Sequence, residues 1–153
     1  MILEFVSNIL KTPQKFLSDY KYIAKLSKIK FYNMITASLI LNIIVLIPVC
    51  FTLIMNFEEM QKTAGIFTPA RGILLAIYLT ILLASAFLLF FMDTKLAFAL
   101  FVMQIVYKLI SPVTVKTIKN PIVICNLLIA GFHLVTIYTM LKADAIHFDF
   151  LPS

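Results

Sequence analysis

Charge is what this sequence has least of. Among its 153 residues, 13% are charged and 62% are hydrophobic, where a soluble domain runs near 25% and 45–50%. The shortage excludes a disordered chain, which is poor in apolar residues and rich in charge. It also excludes a small soluble enzyme, which could not bury so much apolar side chain. Acids are scarcer than bases, 7 against 13, and the net charge is +6. In so apolar a chain that excess points to a lipid bilayer with anionic headgroups as partner, and not to nucleic acid. Tryptophan is absent, so Tyr and Phe must supply any aromatic belt. The two cysteines, Cys50 and Cys125, are too few for a disulfide scaffold or a zinc site. No Asn-X-Ser/Thr acceptor occurs, and no segment alternates apolar and polar residues as the strands of a membrane barrel do.

What the sequence does have is long apolar runs. Four of them, over 34–55, 73–92, 96–115 and 122–141, contain a single charged side chain, Lys108. At 1.5 Å per residue, 20 to 22 residues cover roughly 30–33 Å, enough to cross the hydrocarbon core. The fold class expected is therefore all-α: an integral membrane four-helix bundle over 34–141, preceded by a basic segment over 1–33 and followed by a short tail over 142–153.

The basic segment carries Lys11, Lys15, Lys21, Lys25, Lys28 and Lys30 against Glu4 and Asp19. It lacks the compact apolar core and small-residue cleavage site of a signal peptide. Ile2, Phe5, Val6, Ile9 and Leu10 make an apolar stripe that Pro13 interrupts, and Phe16, Tyr20, Ile23 and Ser27 follow at near-heptad spacing. This pattern predicts an amphipathic helix lying in the membrane interface, its lysines among the headgroups. With the N-terminus inside, the cytoplasmic face holds these six lysines with Lys95 and Lys142, and the outer face holds Lys62, Arg71, Lys116 and Lys119. Eight against four puts both termini in the cytoplasm and makes the first span an uncleaved signal anchor.

The connections agree with four spans. Only Asp93, Thr94 and Lys95 separate the second from the third, which forces antiparallel neighbours, with Asp93 or Thr94 as helix cap. Asn120-Pro121 reads as an N-cap followed by proline at the first helical position. In the longer first loop, Glu58 and Glu59 nearly cancel Lys62 and Arg71, so nothing marks it as a substrate lid.

Polarity retained inside a membrane bundle marks structure or function. Counting inward from the loop ends sets Asn42, Ser85, Gln104 and His133 at one depth near the midplane. Gln104 and Lys108 share a helix face, with Ser111 extending it, as do Asn126 and His133, and Ser38 and Asn42. Such groups serve as packing glue between helices or line a polar pathway. Lys108 lies about 10 Å by helical rise from the end of its span, so it either snorkels to the surface or faces the interior. Pro112, four residues on, deprives the Lys108 carbonyl of its helical donor and is expected to kink the third span, as Pro48 is the first. Bis-histidine haem ligation by His133 and His147 would need a second subunit, because His147 falls past Lys142. Cys50 and Cys125 lie near the same end of the bundle and read as two small core residues rather than a disulfide.

No acid/base pair, activated nucleophile, metal cluster or phosphate loop is evident. The sequence thus predicts no catalytic residue, no metal and no cofactor. Neither a Cys-x-x-Cys pair nor a glutamate in the first span occurs, which sets the chain apart from four-span thiol oxidoreductases and small multidrug exporters. The reading favoured by composition is a non-catalytic accessory or oligomer-forming subunit, with other membrane subunits or a second copy as partner. The alternative is a carrier or channel for a small anion or polar solute, using the polar cluster around Lys108.

Overall fold

The structure, a computed structural model, describes the backbone of residues 2–143 and the side chains of residues 20–143 apart from Ala24 and Ala64. The described residues form five helices and no strand: α1 (Ile2–Met55), α2 (Glu58–Ala64), α3 (Pro69–Phe90), α4 (Thr94–Val115) and α5 (Pro121–Lys142). All but α2 contain a stretch long and apolar enough to cross a membrane. His147 lies outside the described residues, as do the side chains of Lys11 and Lys15.

The helix starts follow local chemistry. Asp93 accepts a hydrogen bond from the Leu96 amide at 2.9 Å, and Asn120 one from Ile122 at 2.9 Å. Thr68 caps α3 through the Arg71 amide at 3.3 Å, with Pro69 in the first turn. This cap starts α3 four residues before the apolar run does, so Arg71 is helical and not part of the loop. At Gly65, φ is +80°, a conformation open to glycine and strained for other residues.

Two features of α1 differ from expectation. Its backbone continues through Pro13, and it has no boundary near residue 33. Between Pro13 and Pro48 the chain has neither proline nor glycine, so nothing stops propagation, which adds one hydrogen bond per residue. What changes near residue 33 is side-chain polarity. The described portion from Tyr20 to Met55 has 36 residues, about 54 Å by helical rise. The bundle closes around Phe31, which packs with Ala97 and Met140. From Tyr20 to Lys30 the described side chains, including Lys21, Lys25, Lys28 and Lys30, are all exposed.

Successive spanning helices run antiparallel and pack as a ring in the order α1, α3, α4, α5. The α1–α3 and α4–α5 faces are the broader ones, and the α1–α5 and α3–α4 seams are narrower. One apolar cluster, with Ile35, Leu39, Leu88 and Phe101, sits toward the α3–α4 turn. A second, with Leu46, Cys50, Leu53, Tyr78 and Ile81, sits toward α2. Outside, large apolar side chains such as Ile44, Phe51, Leu83, Phe87, Met103, Val113, Leu128 and Tyr138 stand exposed on every spanning helix. Polar groups within and bulky apolar groups without is the arrangement a bilayer requires, because lipid covers the outer surface and supplies no hydrogen bonds.

Candidate functional site

The polar residues of the four spans form two separate groups. The first is a layer between the two apolar clusters. Asn42 of α1 donates through Nδ2 to Ser85 Oγ of α3 at 3.0 Å, and its Oδ1 lies 3.1 Å from His133 Nε2 of α5. With the amide so oriented, Oδ1 is the acceptor and the His133 proton belongs on Nε2. One turn nearer the α3–α4 turn, the Ser38 and Thr136 hydroxyls pair at 2.7 Å. Phe101 stacks on the His133 ring with centroids 4.8 Å apart. All these side chains are buried. They tie α1 to both α3 and α5 through hydrogen bonds between protein side chains.

The second group lies nearer α2 and is less complete. Lys108 is 2% exposed, which decides between snorkelling and an interior position in favour of the interior. Its Nζ donates to Asn126 Oδ1 at 3.2 Å and sits 4.8 Å from the centroid of the Tyr107 ring. Asn126 therefore partners Lys108, not the histidine seven residues along its own helix. An ammonium has three donors, and no carboxylate lies within ion-pair distance of Lys108 among the described residues. The Lys108 carbonyl, freed by Pro112, accepts a hydrogen bond from Ser111 Oγ at 2.7 Å. The serine hydroxyl replaces the missing amide, and α4 continues through Pro112 as α1 does through Pro48.

Between the two groups stands Gln104, 1% exposed, with neither amide atom hydrogen-bonded. The Nδ1 atom of His133 and the Tyr107 hydroxyl are likewise buried without a partner. Leaving such groups unpaired costs about 1–3 kcal/mol each. Lys108, Gln104 and the His133 layer thus make a discontinuous polar column along the bundle.

Two cavities reach the Lys108 group from the α2 end. One, about 300 Å³, lies between α1 and α5 under α2 and is walled by Leu46, Val49, Met60, Ile122, Cys125 and Ile129, with Lys108 and Asn126 in its wall and Glu59 at its rim. The other, about 540 Å³, lies between α3 and α4 and is lined by Leu74, Tyr107, Ile110, Ser111 and Thr114 among others. Both are bounded by Thr63, Tyr78, Ile122 and Asn126, so the narrower seams of the ring each open into the same region. Helix α2, in a loop whose balanced charges carried no signal, forms part of both walls.

Arg71 was legible only as a loop charge, and the structure gives it a larger part. It is 4% exposed. Its Nη1 donates to Asn56 Oδ1 at 2.7 Å and to the Gly65 carbonyl at 2.8 Å, and Nη2 reaches the Leu53 carbonyl at 3.4 Å. The last carbonyls of a helix lack internal partners and favour a cation, so Arg71 fastens the end of α1 to α3. That it is the sole arginine among thirteen bases was the available sign, because only arginine offers a rigid fork of donors. Asn120 makes the matching clasp on α2, donating from Nδ2 to the Thr63 carbonyl at 2.9 Å while its Oδ1 caps α5.

Both cysteines are free, Cys50 buried and Cys125 exposed. Only Cys50 is thus a core residue, and Cys125 lines the first cavity. Among the described residues no cluster of His, Cys, Asp or Glu could hold a metal ion. No known protein family matches the chain, and no curated protein or solved structure is detectably similar to it.

Proposed function

We propose that the protein is a membrane carrier or channel for a small anion or polar solute, with Lys108 as the group that receives it. The observation that carries this reading is a buried lysine in the wall of an accessible cavity with no carboxylate opposite. Inserting a lysine at the centre of a spanning helix costs about 2.5–3.5 kcal/mol. One hydrogen bond in a membrane protein returns about 0.6 kcal/mol on average, and contact with an aromatic face about 0.5–2. A bound anion supplies the missing counter-charge. The unpaired Gln104 amide and His133 Nδ1 extend polarity from that site toward the opposite end, as a pathway needs. By the lysine count both termini are cytoplasmic, and the two cavities then open toward the opposite face.

The test is anion efflux from liposomes containing the purified protein. Lys108→Met is expected to abolish flux while helix content and insertion stay unchanged; flux equal to wild type ends the proposal. A second reading, an accessory subunit, draws on α1, whose exposed Tyr20, Tyr22, Ile23, Leu26 and Ile29 extend past the bundle as a surface for a partner. A single unaccompanied chain in native mass spectra after gentle extraction counts against that reading.

A further inference from the structure

We infer that the anion taken by Lys108 is the carboxylate head of a single-chain amphiphile whose acyl tail fills the cavity between α1 and α5. This rests on the reading of Lys108 as an anion receptor and adds the class of ligand. Apart from Lys108, Asn126 and a few polar groups, the cavity is lined by apolar side chains, among them Leu46, Val49, Met60, Ile122 and Ile129. A small hydrated anion gains nothing from such a lining and must shed its water to reach the lysine, whereas an acyl chain gains by every methylene it buries there. Size fits the same ligand. A cavity of about 150 Å³ holds benzene, so 300 Å³ accommodates roughly twelve heavy atoms, a ten-carbon carboxylate.

Charge sets the direction of entry. Lys108 supplies one positive charge to one carboxylate, and its ammonium, with one donor on Asn126 and the Tyr107 ring beside it, has two further donors for that head. Glu59 at the rim repels an anionic head there, so the head goes in and the tail lies toward the mouth. At the α2 end the cavity also reaches the outer surface of the bundle along α5, where Cys125 and Pro121 line it and are exposed. Amphiphiles partition into the bilayer and reach that opening from it, and a longer chain continues out of it into lipid.

Cys125 serves as the reporter. The full chain in nanodiscs of zwitterionic lipid is treated with a maleimide, and modification of Cys125 is followed by mass, with buried Cys50 as the internal reference. Decanoate at ten times its Kd is expected to slow labelling of Cys125 about tenfold, with decanol and acetate leaving the rate within about twofold. Lys108→Met removes the protection by decanoate and Lys108→Arg retains it, which separates loss of charge from loss of fold. Protection by acetate equal to that by decanoate overturns the amphiphile and leaves the small-anion reading standing. Protection by decyl phosphate but not decanoate overturns the carboxylate. Equal protection by decanol, or none by any anion, overturns both the inference and the reading beneath it.

Discussion

Removing Asn42 should strand the His133 ring. Asn42→Leu keeps the number and branching of side-chain heavy atoms and deletes two hydrogen bonds, to Ser85 and to His133. At about 0.6 kcal/mol each in a membrane protein, the bonds alone account for roughly 1 kcal/mol. Ser85 can redirect its hydroxyl to a carbonyl one turn back in α3, so it loses little. His133 cannot recover so easily, since its Nδ1 is already unpaired and Nε2 would then be unpaired too. A stranded buried donor adds about 1–3 kcal/mol, for a total of about 2–4. The assay is reversible unfolding in mixed micelles, run as a double-mutant cycle with His133→Phe, which keeps a ring against Phe101 and carries no polar atom. The double variant should be more stable than Asn42→Leu alone, since the stranded group is gone. Additive losses, or a loss below about 0.5 kcal/mol for Asn42→Leu, would refute the claim that the layer is a hydrogen-bonded unit.

Arg71→Leu should release the end of α1 from α3. Amide exchange in Leu53 to Gly65 is expected to rise at least about tenfold while exchange near Asn42 stays unchanged, because local openings differ in free energy along a chain; protection that stays uniform contradicts the clasp. Ser111→Ala removes the donor on the Lys108 carbonyl and should cost about 1 kcal/mol in the same unfolding assay. Restoring the backbone amide with Pro112→Ala in that background should recover most of the loss, and no recovery argues that the serine matters for another reason.

The parts of this molecule readable in its sequence were those governed by length and by neighbours along the chain. Apolar runs of membrane length reveal the four spans. Asp93 and Asn120-Pro121 announce two helix starts, because a cap is a bond to a residue two or three positions away. Depth was readable as well: counting residues from the loop ends brings Asn42, Ser85 and His133 together, and the structure joins those three. Gln104 shares their burial but not their hydrogen bonds. Pairing across helices was less accessible. Asn126 could face the His133 layer or Lys108 with equal ease until α5 is rotated against α4, and packing sets that rotation. Helix α2 and the role of Arg71 were hidden for a similar reason, since their partners lie on other elements. The unbroken course of α1 escaped because the apolar pattern changes where the backbone does not.

That continuity gives α1 a mechanical character. Tyr20 and Asn42 belong to one rod, 22 residues and about 33 Å apart along its axis. A rod of that length is a lever arm: a tilt of about 10° around the Asn42 layer swings its far end by roughly 6 Å. Any force applied to the exposed lysine-rich arm therefore acts as torque on the hydrogen bonds that join α1 to α3 and α5.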